Sequence, residues 1–181
     1  MKEPRLLTKY RKEVIPAMQA KFGYKSIMAV PSIRKVVVNC GIGKIIKDAK
    51  MVDKIESDIA KITGQKPVRR KAKKSIAGFK LREGTDAGIM VTLRNSRMYD
   101  FIDRLVAVAI PRSRDFRGLE SKSFDKNGNF SIGVKEHNIF PEVSYESLKD
   151  IFGFQVTITT TARNKNEGEE LLKLMGFPIK S

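Results

Sequence analysis

Apolar residues recur at helical spacing in four stretches of the chain. Leu6, Leu7, Tyr10, Val14, Met18 and Phe22 predict an N-terminal helix, with Pro16 inside it as a point of kinking. Met51, Val52, Ile55, Ile59 and Ile62 predict a second helix, capped by Asp48 and stopped by Gly64. Met98, Phe101, Ile102, Leu105 and Val106 predict a third, entered through Asn95-Ser96 and ended before Pro111. Leu171, Leu172 and Met175 predict a fourth, ended by Gly176 and Pro178. Strand patterns fill the intervals at residues 33–40, 65–71, 88–94, 130–137 and 153–161. The order is α-β-α-β-β-α-β-β-α. Residues 111–129 form the longest irregular stretch, with Asn127-Gly128-Asn129 as a turn.

Side chains alternate along a strand, so each strand separates into two faces. Arg34, Val36, Val38 and Cys40 share one face of the first strand, and Ile33, Lys35, Val37 and Asn39 share the other. Ile89, Val91 and Leu93 point inward, whereas Met90, Thr92 and Arg94 point away. Phe154, Val156 and Ile158 go in, and Gln155, Thr157 and Thr159 go out. In the 65–71 segment Gln65, Arg69 and Lys71 share a face. The expected fold is α+β: one domain spanning residues 1–181, with a mostly antiparallel five-stranded sheet. Helices pack on its apolar face. The other face stays open and carries Lys35, Asn39, Gln65, Arg69, Thr92 and Arg94. Solvent alone explains such a face, since antiparallel sheets often leave one side wet.

Charge changes that picture. The 181 residues hold 36 Lys+Arg against 20 Asp+Glu, a formal net charge of +16. Residues 1–118 carry 28 basic and 11 acidic side chains, a net of +17, and the remainder carry 8 and 9, a net of −1. One part of the chain is suited to a polyanion and another is not, as in a protein with two kinds of neighbour. The densest charge lies in "GQKPVRRKAKKSIAGFKLREG", residues 64–84. Between Ile59 and Arg82 nine Lys or Arg occur with no Asp or Glu. Ser75, Ala77 and Gly78 keep part of this run small, which lets backbone approach a phosphate. Phe79 either stacks on a base or anchors the loop to its own domain. Neutralising phosphates releases counterions and supplies much of nucleic-acid affinity. The alternative is a solubilising loop.

Few features point to catalysis. "VVVNCGIGK" runs a strand into Gly41-Ile42-Gly43-Lys44, but Ile46 stands where a dinucleotide fingerprint needs glycine, and Ile45 where a P-loop needs Ser or Thr. His137 is the single histidine and Cys40 the single cysteine. An intramolecular disulfide and a multi-cysteine zinc site are therefore excluded. A structural or contact role for His137 is expected, with Glu136 and Glu142 in its region. Asp100 and Asp103 lie beside Arg97 and Arg104, a pattern that helix-surface ion pairs explain. No cofactor and no metal is expected. The N-terminal stretch lacks a signal-peptide core, and no run approaches the ~18 apolar residues of a membrane span. The sequon Asn129-Phe130-Ser131 is then read as chance.

The open face lacks the aromatic rings on which unpaired bases stack. Asn39, Gln65 and Thr92 offer hydrogen bonds beside cations, which suits a helical RNA surface with its 2′-hydroxyls and phosphates. Neither a helix-turn-helix nor a zinc finger is apparent.

The motifs "VVVNCGIG", "ITGQKPVRRKAKKSIAGFKLREG", "VTLR", "AIPRSRDFRGL", "NIFPEVSYE" and "VTITTTA" occur in this order. Together they resemble the bacterial-type large-subunit ribosomal protein family that binds 5S ribosomal RNA, the fifth in the large-subunit series. The resemblance covers about residues 2–180. It implies a non-enzymatic, cytoplasmic protein of the ribosome, placed in the central protuberance beside other 5S-binding proteins. It implies that Asn39, Gln65 and Thr92 meet 5S rRNA; Lys35, Arg69 and Arg94 join them as expected contacts because alternation places them on the same open face. It implies that the loop holding Lys73, Lys74, Ser75, Gly78, Phe79, Lys80 and Arg82 reaches P-site tRNA. Segments 111–118 and 134–146, with Arg112, Arg114, Arg117, Glu136 and Glu142, would bridge to a protein of the small-subunit head. Contacts with 23S rRNA are implied as well, and none with membrane.

Two stretches depart from the family pattern. Arg69 and Arg70 stand where apolar and hydroxyl residues are usual, and Thr85-Asp86-Ala87 replaces a stretch that usually includes proline. The competing readings are a catalytic RNA-processing factor, which needs a titratable cluster, and a general nucleic-acid chaperone. A membrane-surface role lacks the required amphipathic stripe.

Overall fold

The computed structural model describes every residue except 1, 2, 44, 46, 47, 80, 115–117, 144–150 and 181. Five strands form one antiparallel sheet in an α+β fold, as expected. They are β1 (Ile33–Gly41), β2 (Val68–Lys71), β3 (Asp86–Leu93), β4 (Phe130–Val134) and β5 (Phe154–Thr160), in the order β2-β3-β1-β5-β4. The helical segments are α1 (Arg5–Lys9), α2 (Ile15–Phe22), α3 (Ala49–Thr63), α4 (Asn95–Arg104), α5 (Ile110–Arg112) and α6 (Lys165–Leu174). Contacts group the chain into two compact units. Residues 1–36, 94–132 and 157–181 form one, and residues 37–93 and 133–156 form the other.

In the first unit α1 and α2 are joined by a π-helical turn, Tyr10–Val14, and α4 and α5 by another, Leu105–Ala109. Each π turn runs into an Ile-Pro pair, Ile15-Pro16 and Ile110-Pro111. Proline has no N–H to donate and its ring crowds the preceding turn. A wider i→i+5 turn accommodates both effects and lets the helix continue. The third predicted helix therefore does not end before Pro111; it runs through to Arg112. Val14, Met18, Phe101, Ile102, Phe130 and Leu171 are fully buried in this unit's core. Arg5 of α1 holds both carboxylate oxygens of Asp103 of α4 along one guanidinium edge, Nε at 3.1 Å and Nη2 at 2.6 Å. Asp103 thus pairs across to α1, where its spacing had indicated a partner on its own helix.

The expected turn at residues 127–129 is built on Asp125. Its carboxylate accepts from the Asn127 and Asn129 backbone amides at 2.9 and 2.8 Å. Next to it, the Gly128 backbone lies so close to α6 that a Cβ on Gly168 would stand 2.4 Å from the Gly128 carbonyl oxygen. Leu119 pairs with Ile179, and Phe124 with Phe130, so the irregular stretch is tied down at two points.

In the second unit α3 packs on β3. The Asp48 side chain accepts from the Met51 amide at 3.2 Å, and Gly64 closes the helix in the left-handed region with φ 67°. A cap of the Asp48 kind contributes about 1 kcal/mol. Val38, Cys40, Ile55, Ile59, Ile62, Ile89, Val91, Leu93 and Val156 are buried between helix and strands. Burial of each large aliphatic side chain contributes about 1.5–3 kcal/mol relative to exposure. The alternate positions Val37, Met90 and Thr92 are half-buried, and Asn39 and Gln155 are exposed.

Alternation fails at two places. At the start of β1, Ile33 is buried and Arg34 is exposed, the reverse of the expected faces. The second strand begins at Val68, not at Gln65. Pro67 precedes it, buried and unable to donate to a ladder.

Candidate nucleic-acid interface

Gln65 reaches its place through a turn instead of a strand. Thr63 ends α3 with its hydroxyl 2.7 Å from the Ile59 carbonyl oxygen and 3.1 Å from that of Gln65. Gly64 then reverses the chain. The Gln65 side-chain Nε2 donates to the Thr92 backbone carbonyl at 3.3 Å. Two residues singled out from the sequence are therefore in direct contact. Asn39, also in this unit, has its Oδ1 close above β3, 3.7 Å from where a Cβ on Gly88 would lie. Asn39 is exposed, and neither its amide nor the Thr92 hydroxyl has a hydrogen-bond partner among the described residues. The arrangement presents short polar groups able to give and accept hydrogen bonds.

Arg69 does not belong with them. β2 pairs antiparallel with β3 in the register Val68↔Met90, Arg69↔Ile89, Arg70↔Gly88, with a shift before Lys71↔Asp86. Directly opposed residues share a face. Ile89 is fully buried on the helix side, so Arg69 faces α3. There its Nε donates to Glu56 at 2.7 Å and its Nη2 reaches Asp53 at 2.5 Å. These hydrogen bonds raise the Arg69 pKa above its ordinary value. The expectation of Arg69 on the open face is thus corrected. Parity counted from Gln65 gave the wrong side because Gln65 is not part of the strand.

Lys35 and Arg94 fall in the other unit. Lys35 is half-buried on β1, and Arg94 is exposed with extended backbone, immediately before α4.

The basic run continues β2 and β3 past their ends. The Ala72 amide donates to the Thr85 carbonyl at 2.8 Å, and the Gly84 amide to the Ala72 carbonyl at 3.0 Å. Further out, Ile76 and Leu81 exchange backbone hydrogen bonds of 2.9 and 3.2 Å. The Ser75 hydroxyl accepts from the Glu83 amide at 2.9 Å. A 3₁₀ turn, Ala77–Phe79, caps the loop. Lys73, Lys74, Ser75, Gly78 and Arg82 are exposed. The Phe79 side chain and Lys80 lie outside the described residues. Ser75, Ala77, Leu81, Arg82 and Glu83 line a shallow recess.

Of the expected bridging residues, Arg112 and Arg114 are exposed in the first unit. Glu136 and Glu142 lie in the second, where the Glu136 carboxylate accepts from the Asn138 side-chain amide at 3.0 Å. Arg117 and residues 144–150 lie outside the described residues.

His137 is buried and stacks on Phe152, with centroids 4.2 Å apart and planes 11° apart. Its Nδ1 accepts from the Phe152 amide at 3.3 Å, which keeps that nitrogen unprotonated. Cys40 is buried, its thiol donates to the Gly153 carbonyl at 3.3 Å, and burial pushes its pKa up to about 11. Such a thiol is a poor nucleophile. Among the described residues no three His, Cys, Asp or Glu gather in a way that would hold a metal ion. No helix among them is long and apolar enough to cross a membrane.

The profile described as "Ribosomal protein L5" matches residues 26–82, and the profile for the C-terminus of the same ribosomal family matches residues 86–179. The chain belongs to the uL5 family of ribosomal proteins. It is 51% identical over 176 residues to the large ribosomal subunit protein uL5 of Carboxydothermus hydrogenoformans, covering 97% of this chain and 98% of that one. It is 52% identical over 175 residues to uL5 of Streptococcus thermophilus, covering 97% of each. It is likewise 52% identical to uL5 of Citrifermentans bemidjiense, over 98% of this chain and 99% of the relative. As a uL5 protein of bacterial type it is a structural component, not an enzyme.

Proposed function

We propose that this chain is a constituent of the large ribosomal subunit, acting in the cytoplasm on the ribosome, and that it seats 5S rRNA through Asn39, Gln65 and Thr92. The hydrogen bond from Gln65 to the Thr92 carbonyl carries the reading. It fixes a long, flexible amide against β3, beside a threonine whose hydroxyl is unengaged among the described residues. A surface of small hydrogen-bonding groups in fixed positions suits the 2′-hydroxyls and phosphates of an RNA helix. Lys35 on β1 and Arg94 after β3 supply further cations. The loop closed by Ala72 and Thr85 meets P-site tRNA through the phosphate-neutralising side chains of Lys73, Lys74, Lys80 and Arg82. Arg112, Arg114, Arg117, Glu136 and Glu142 serve contacts toward the small subunit, with 23S rRNA and the other 5S-binding proteins as further neighbours.

The deciding experiment is filter binding of 5S rRNA to Asn39→Ala, Gln65→Ala and Thr92→Ala. Weakened binding with unchanged folding supports the seat. Wild-type affinity in all three overturns it.

A further inference from the structure

Arg69 and Arg70 are adjacent cations on an edge strand, and the register sends them to opposite sides. Arg69 is held by Glu56 and Asp53 of α3. Arg70 is exposed and has no hydrogen bond or ion pair among the described residues. Its cross-strand partner is Gly88, which shares its face with Met90 and Thr92. On the far side of Gly88 stands Asn39, with Oδ1 3.7 Å from the site of the missing Cβ and the Cys40 carbonyl oxygen 3.2 Å from it. Any larger residue at position 88 would press on β1 there. The row across β2, β3 and β1 is therefore a cation, a glycine and an amide. It spans two strand spacings, about 10 Å.

We propose that Arg70 is a phosphate-contacting residue of the 5S rRNA seat, lying beside Asn39 across Gly88. This rests on the function proposed above and extends it. A guanidinium can take a phosphate oxygen pair in bidentate fashion and neutralise its charge, whereas Asn39 and Thr92 carry no charge of their own. The neighbouring Arg69 cannot share that task, because it faces the helix and is neutralised there. One charge fastens the strand to α3 and the other faces the RNA.

The test is 5S rRNA filter binding over a range of KCl concentrations with the full chain. Each phosphate contact adds about 0.7–0.9 to the slope of log K against log salt. Arg70→Ala is expected to lower the slope by about one contact, and Arg70→Lys to restore it. Arg69→Ala is expected to leave the slope unchanged. Thermal midpoints of the free variants verify that each is folded. An unchanged slope for Arg70→Ala, with weakened binding by Asn39→Ala, overturns the role of Arg70 and leaves the seat in place. An equal slope loss in Arg69→Ala also overturns it, since both cations would then act as general field. Unchanged binding by Asn39→Ala, Thr92→Ala and Arg70→Ala together removes the seat itself.

Discussion

The Gln65 side-chain amide donates to the Thr92 backbone carbonyl at 3.3 Å, joining the turn after α3 to a strand 27 positions later. The contact uses the threonine's main chain and leaves its hydroxyl outside the bond. Thr92→Ala should therefore keep Gln65 in place and remove a single RNA-facing group. Gln65→Ala should remove its own group and the tether. A typical hydrogen bond is worth about 1 kcal/mol net, roughly fivefold in affinity. Binding of 5S rRNA should fall about fivefold in Thr92→Ala and further in Gln65→Ala. The reverse order in a filter assay would contradict the tether.

The neck of the basic loop is closed by the backbone pairs between Ala72 and Thr85 and between Gly84 and Ala72. Deletion of Lys73–Arg82 removes only what lies beyond the neck. 5S rRNA affinity should survive, and P-site tRNA retention on reconstituted ribosomes should decline. Loss of 5S binding in the deletion would show that the loop and the seat are one surface.

Gly128 and Gly168 meet backbone to backbone. Because a Cβ on Gly168 would stand 2.4 Å from the Gly128 carbonyl oxygen, Gly168→Ala must displace α6 or the turn. Overpacking of this kind costs typically about 1–3 kcal/mol. The thermal midpoint should drop by several degrees, although alanine ordinarily favours a helix. A midpoint at or above wild type would mean that the two segments separate freely.

Alkaline pH should destabilise the fold. Burial pushes the Cys40 thiol up to about 11 from its ordinary 9.0 and the Tyr10 hydroxyl up to about 12 from 10.0. The native state then holds protons that the unfolded chain has released. Stability is fully present below about pH 9 and falls as pH rises through the window from about 9 to about 12. Thermal melts between about pH 8 and about pH 11 should show this decline, and it should be shallower in Cys40→Ala. In the native protein at about pH 8, Cys40 should resist a thiol reagent that labels it at once after unfolding.

Much of the fold was legible because it rests on local rules. Asp48 and Gly64 bracket α3 as their chemistry requires, and Val38, Cys40, Ile89, Val91 and Leu93 face inward by simple alternation. The prolines were harder. Pro16 and Pro111 read as a kink and a stop, yet a π turn before each carries the helix onward. That solution depends on packing around both turns, where Tyr10, Val14, Leu105 and Ala109 are buried.

The candidate site divides in the same way. The types and spacing of Asn39, Gln65 and Thr92, the basic run, and the family motifs were determined by the amino-acid order alone. Which side of the sheet Arg69 and Arg70 occupy was not. Alternation states that neighbours differ, but not which of them meets the core. Pairing with β3 answered it, because Ile89 must be buried and its partner Arg69 follows, leaving Arg70 opposite Gly88. Only the tertiary structure brought Asp53 and Glu56 to the first arginine and left the second without a partner among the described residues.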